Sequence, residues 1–182
     1  MGVMDGQVAL LTAGGGAIAT ATALRMAAAG AKVVLADVDL EAAERAAVKV
    51  RASGGEALAL AFDALDAEQC EQMSAAIDEQ FGALHVLCNL VGYFGPRGGG
   101  KLDETDLDRW HWMFDVNLKS VFMVSRAAIP LMLRSGGGAI VNTGTLAAMI
   151  GRPGGPAYGA SKSGVLSLTR AMASEYRHTA FE

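Results

Sequence analysis

Residues 7–19 read Gln-Val-Ala-Leu-Leu-Thr-Ala-Gly-Gly-Gly-Ala-Ile-Ala, and their order decides the fold. Gln7–Thr12 is a short apolar run without period-two alternation, as expected of a strand buried on both faces. Three consecutive glycines follow. Ile18–Ala29 then carries helical character and is stopped by Gly30. A strand, a turn of small residues and a helix N-terminus make an anion site, because backbone N–H groups and the positive end of the helix dipole converge there. Gly14-x-Gly16-x-x-Ala19 fits the G-x-G-x-x-G/A pattern in the strand–turn–helix context that a dinucleotide site requires. Gly14, Gly16 and Ile18 are the candidate cofactor contacts of this turn.

The same unit recurs along the chain. Strands are expected at Lys32–Ala36, Ala57–Phe62, Val86–Leu90 and Ala139–Thr143. Helices are expected at Leu40–Ala52, Ala67–Phe81, Asp103–Arg134 and Pro156–Tyr176, with a Gly-rich loop over Gly92–Gly100. Non-alternating strands separated by helices predict an α/β fold: a doubly wound parallel sheet, of Rossmann type, with helices on both faces. No linker or composition shift divides the chain, so residues 1–182 are expected to form a single NAD(P)-binding domain.

Composition narrows the function classes. Apolar residues make up 52% and charged residues 19%, which excludes a disordered chain. The net charge of −4 gives no reason to expect nucleic acid or an anionic membrane as a partner. Cys70 and Cys88, far apart, cannot supply a metal quartet and read as reduced core thiols of a cytoplasmic protein. Asp5 and the lack of a basic segment argue against a secretory signal, and no uncharged apolar run approaches 18 residues.

Chemistry-bearing residues cluster at strand ends. Asp37 ends the second strand 18 residues after Ala19, where a carboxylate can accept hydrogen bonds from adenosine ribose hydroxyls and repel a 2′-phosphate. That favours NAD over NADP. Helix capping is better assigned to Asp39. Asp63 closes the third strand and Asn89 lies in the fourth, both at carboxyl ends where open α/β sheets bind ligands. Tyr158 and Lys162 stand four apart, so on a helix they share one face, with Cβ atoms about 6 Å apart. An ammonium beside a phenol favours the phenolate, which is what a proton-transferring tyrosine needs.

Taken in order, these motifs resemble those of the short-chain dehydrogenase/reductase family over essentially the whole chain. Thr12–Ala19 resembles the family's T-G-x-x-x-G-x-G, Asp63-Ala64 its adenine-contacting Asp, and Asn89-Leu90-Val91-Gly92 its N-N-A-G. Asn117 matches its helix asparagine. Thr145, thirteen residues before Tyr158, stands where the family has its catalytic serine, and Tyr158 and Lys162 match its Y-x-x-x-K. The resemblance implies hydride transfer between NAD and a small alcohol or ketone, with Tyr158 as general acid/base. Lys162 would tune Tyr158 and hold the nicotinamide ribose. Thr145 would bind the substrate oxygen, and Asn117 would anchor a water linking Lys162 to solvent. It also implies a homo-oligomer built through the two long C-terminal helices.

Several positions depart from the family pattern. Its three turn glycines are Ala13, Ala17 and Ala19 here, and an αL backbone at any of them would be strained. Leu90 and Val91 replace an Asn and an Ala, and Thr145 adds a methyl. Family members continue with further strands and a substrate lid beyond the position of Glu182, so the sheet is expected to end at its fifth strand with an apolar edge. An alternative expectation is therefore a catalytically impaired nucleotide-binding or interaction module. Trp110, Trp112 and Phe114 are expected to pack or to line a dimer face. Tyr93, Phe94, Pro96 and Arg97 are candidate substrate-pocket residues or a plain loop, and His85, His111 and His178 have no metal-ligand spacing.

Overall fold

Leu10 and Leu11 point to opposite sides of one sheet, and each begins a separate core. The computed structural model describes residues 2–95, 100–151 and 153–177. Its strands are β1 (Val8–Thr12), β2 (Lys32–Asp37), β3 (Ala57–Ala61), β4 (Val86–Asn89) and β5 (Ala139–Asn142). All pair in parallel in the order β3-β2-β1-β4-β5, with Leu11 opposite both Leu35 and Cys88, and Asn89 opposite Asn142. Successive strand residues alternate faces. Leu10, Val34 and Leu87 therefore enter one core, and Leu11, Leu35 and Cys88 the other.

Helices α1 (Ala17–Ala28) and α2 (Leu40–Ala52) cover one face with mainly alanine, and the small side chains let them lie close to the strands. On the opposite face, α3 (Ala67–Phe81) and α5 (Ser120–Arg134) contribute Met73, Ile77, Val124 and Met132. Helix α6 (Pro156–Glu175) follows β5. Asp39 and Asp66 cap α2 and α3 by accepting backbone N–H groups in the first turn. Asp39 is thus the cap, as expected, and Asp37 is left for other work. Cys70 and Cys88 are buried in different cores. Burial, with Asp66 nearby, pushes the Cys70 thiol up to about 11.

The long helix differs from expectation at its start. Leu102–Glu104 forms a separate 3₁₀ turn, Thr105 is extended, and α4 (Leu107–Phe114) begins only at Leu107. The reason is local: Asp106 accepts the Arg109 N–H at 2.7 Å and sets the N-terminus. Asp115–Lys119 then forms a π-helical turn between α4 and α5. Such a turn widens the helix and marks functional positions in many proteins. Leu107–Arg134 is long and apolar enough by composition to cross a membrane, but half of its most apolar stretch is buried against the rest of the protein. Among the described residues β5 pairs only with β4, and Val141 on it is 52% exposed. The sheet therefore ends where expected, with an uncovered apolar residue at its edge.

Candidate cofactor and catalytic site

The glycine turn is held to β2 at two points. The Gly14 N–H donates to the Ala36 carbonyl at 3.0 Å. A Cβ on Gly14 would lie 2.6 Å from the Leu35 carbonyl carbon, so only glycine permits this approach. The Gly15 N–H donates to Asp37 Oδ2 at 3.0 Å, while Oδ1 accepts the Asp39 N–H at 3.0 Å. Gly16 is the N-cap of α1 with no side-chain cap hydrogen bond among the described residues, which leaves the first-turn N–H groups suited to a ligand. Of the three alanines that stand in place of family glycines, Ala13 alone has positive φ, at 51°. Ala17 and Ala19 are ordinary residues of α1, where a methyl is no burden.

A cavity of about 260 Å³ opens beside this turn. Ala13, Asp37, Asp63, Ala64, Gly92 and Trp112 are among its lining residues. Three positions chosen from sequence motifs, Asp37, Asp63 and Ala64, thus meet at one hollow, whereas the turn contributes Ala13 to its lining rather than the expected Gly14, Gly16 or Ile18. Ile18 lies in the first turn of α1 and is 68% exposed. Asp63 is fixed by an Asx turn, with Oδ1 accepting the Leu65 N–H at 2.8 Å. Val38, Leu65 and Trp112 also line the cavity and were not foreseen as cofactor residues. Trp112 packs, as expected, its ring meeting Tyr93 edge-on with centroids 4.9 Å apart, and it borders the cavity as well. Its neighbours Trp110 and Phe114 stack on each other instead, and Phe114 faces a different groove.

Thr12 joins the carboxyl ends of β1 and β4. Its Oγ1 accepts the N–H groups of Leu90 at 2.9 Å and Val91 at 3.3 Å. These bonds steady the segment in which Leu90 replaces an expected asparagine. Asn89 turns its side chain into the protein rather than toward the cavity. Its Nδ2 donates to Ser125 Oγ and Asn142 Oδ1, and its own Oδ1 is buried without a partner among the described residues. Its backbone carbonyl accepts both the Thr143 N–H at 3.3 Å and the Thr143 hydroxyl at 3.2 Å.

Tyr158 and Lys162 share one face of α6. Lys162 is only 3% exposed, and its Nζ donates to the Thr143 carbonyl at 3.0 Å. Burial pushes its ammonium below the ordinary lysine value. Thr145 caps the 3₁₀ turn Leu146–Ala148, its Oγ1 accepting the Ala147 N–H at 3.3 Å. Ser163 Oγ donates to the Ala148 carbonyl at 3.0 Å and ties this turn to α6 near Tyr158. Asn117, fully buried in the π turn, accepts the Tyr93 N–H at 2.8 Å and donates to the Tyr93 carbonyl at 3.0 Å. A Cβ on Gly92 would lie 3.1 Å from both Asn117 Oδ1 and Lys162 Nζ, so a side chain here would press on both. Phe94 meets the Tyr158 ring at 4.9 Å between centroids. Pro96, Arg97 and His178 lie outside the described residues.

This arrangement fits a nicotinamide dinucleotide: open N–H donors at a glycine turn, a carboxylate beside it, and a buried ammonium and a phenol at the far strand ends. Comparison with known proteins agrees. The short chain dehydrogenase family model matches residues 7–180. A 2,5-dichloro-2,5-cyclohexadiene-1,4-diol dehydrogenase of Sphingobium indicum is 37% identical over 173 residues, covering 95% of this chain and 68% of that protein. A cyclohexanol dehydrogenase of an Acinetobacter species is 38% identical over 175 residues, covering 94% and 68%. The crystal structure of an NAD⁺-bound xylitol dehydrogenase superimposes with a TM-score of 0.94 at 31% identity, over 99% of this chain and 68% of that one. The chain thus spans about two thirds of the length of these relatives. Fold, motif order and relatives converge: the chain belongs to the short-chain dehydrogenase/reductase family of oxidoreductases.

Proposed function

We propose that this chain acts as one dinucleotide-binding domain that moves a hydride between NAD and a secondary alcohol or its ketone, with Tyr158 as general acid/base. The observation that carries the reading is Lys162. A lysine ammonium that is 3% exposed is costly to hold, and it lies one helical turn beyond Tyr158 at the carboxyl end of the sheet.

Each residue has a distinct task. Tyr158 takes the hydroxyl proton in oxidation and returns it to the carbonyl oxygen in reduction. Lys162 brings positive charge beside that phenol. One of its three protons is given to Thr143, which leaves others for ribose hydroxyls. Thr145 Oγ1 already accepts a backbone N–H, so its own proton is available to the substrate oxygen. Asp37 accepts the adenosine ribose hydroxyls and disfavours a 2′-phosphate, and Asp63 with Ala64 borders the adenine. Nicotinamide, when bound, supplies or accepts the hydride. Asn117 acts from behind by fixing the Tyr93 backbone. The names of two relatives point to ring alcohols, which supports a cyclic secondary alcohol as substrate.

Helices α5 and α6 support self-association. Their outer face carries apolar grooves of about 330 and 520 Å³, and Phe122, 48% exposed, lines both. Sedimentation of Phe122→Glu should show a smaller species than the parent chain.

Calorimetric titration with NAD and NADP, followed by NADH formation from cyclohexanol, tests the main reading. NAD should bind in preference to NADP, and Tyr158→Phe should lose at least ~100-fold in turnover while NAD affinity changes little. Failure to bind either dinucleotide would sink it. NAD binding with no turnover of any alcohol would favour the second reading, a nucleotide-binding module that has lost activity, for which the strained Ala13 speaks.

A further inference from the structure

We propose that Gly159 and Ser163 are positioning residues: they seat the turn that carries Thr145 against α6 and so fix the Thr145 hydroxyl relative to the Tyr158 phenol. This rests on the oxidoreductase reading of the site. Successive residues of a helix point about 100° apart. Gly159 and Ser163, one turn apart on α6, therefore form a stripe beside that of Tyr158 and Lys162. One stripe faces the chemistry, and the other meets the chain that follows β5.

That chain is docked on α6 through its carbonyls. Lys162 Nζ donates to the Thr143 carbonyl at 3.0 Å, and Ser163 Oγ donates to the Ala148 carbonyl at 3.0 Å. Ser163 Oγ also lies 2.9 Å from the Gly159 carbonyl oxygen, so its one proton is shared between its own helix and the turn. Between these points the Ala147 carbonyl oxygen approaches Gly159, where a Cβ would lie only 3.2 Å from it. Glycine inside a helix costs backbone entropy, and this close approach is what the missing side chain permits. Ala147 passes the contact on. Its N–H donates to Thr145 Oγ1 at 3.3 Å, and the Ala148 N–H closes the turn on the Thr145 carbonyl at 3.1 Å. A displaced Ala147 would carry Thr145 with it, and misplacing a reacting group by a fraction of an ångström slows the chemical step.

The test measures cyclohexanol oxidation and NAD binding for Ser163→Ala, Ser163→Thr and Gly159→Ala, each alone and combined with Thr145→Ala. Ser163→Ala and Gly159→Ala should each lower kcat about fivefold with NAD affinity unchanged, and Ser163→Thr should restore the parent rate. In the Thr145→Ala background neither should cost more than about twofold, because the hydroxyl they position is gone. Equal losses with and without the Thr145 hydroxyl, or an unchanged kcat, would overturn the assignment. Amide exchange at Ala147 and Ala148, followed by NMR, gives a readout independent of turnover. Both amides should exchange at least about tenfold faster in Ser163→Ala. Faster exchange in a chain that oxidises no alcohol supports the seat, and then only the enzymatic reading fails. Unaltered exchange overturns the seat whatever the activity.

Discussion

Asp37 Oδ2 accepts the Gly15 N–H at 3.0 Å, so the carboxylate proposed to select the cofactor also braces the glycine turn proposed to hold its phosphates. Selectivity and turn geometry are therefore coupled through one side chain. Asp37→Asn keeps an acceptor for Gly15 and removes the charge. Asp37→Ala removes both. NADP affinity should rise relative to NAD by about tenfold in Asp37→Asn, and NAD affinity should fall further in Asp37→Ala, as measured by calorimetric titration with each dinucleotide. Unchanged NAD preference in both variants would remove Asp37 from cofactor choice.

Ala13 holds φ at +51°, a conformation that costs an L-residue with a Cβ roughly 1 kcal/mol. Ala13→Gly should therefore raise Tm by about 2–4 °C, and NAD affinity should not fall. Thermal melts with and without NAD check both parts. A lower Tm would mean that the methyl packs better than its backbone is strained.

Burial depresses the Lys162 ammonium in the folded state, whereas the unfolded chain has the ordinary value of 10.5. Between the two values the unfolded state binds more protons, so stability rises with pH across that window. Lys162→Met should melt above the parent at pH 7, the gap should close as pH climbs toward 10.5, and turnover should fall by at least ~100-fold. Melting curves over alkaline pH, set beside activity, measure this exchange of stability for function.

Asn117 satisfies both backbone groups of Tyr93 from a fully buried position. Asn117→Ala would strand them and should destabilise the fold by about 2–3 kcal/mol in denaturant titration. Gly92→Ala is the gentler probe of the same corner. Its Cβ would press on Asn117 and Lys162 at 3.1 Å, so kcat should fall several-fold while NAD affinity holds. Equal loss of both would show that the corner serves binding rather than the chemical step.

Much of the candidate site's placement in the fold was legible because its signals are local. The strand–glycine–helix order, the strand-ending Asp37 and the four-residue step from Tyr158 to Lys162 depend only on neighbours in the chain. The start of the long helix was less legible, because Asp103 and Asp106 both look like caps and only backbone geometry shows that Asp106 wins. Trp112 reads as packing in any helical pattern. Its place beside the cavity depends on Tyr93, which lies across the fold.

Sequence alone determined the parallel α/β fold, the order of its motifs and the residue types at strand ends, since period, turn chemistry and capping are short-range properties. Tertiary structure decided what those residues do. It turned Asn89 inward, set Ala13 in a left-handed backbone, tied Asp37 to Gly15 and brought Asn117, Gly92 and Lys162 to one corner. Each of these outcomes depends on how separate βα units pack against one another, and packing distances between remote segments are not encoded in local periodicity.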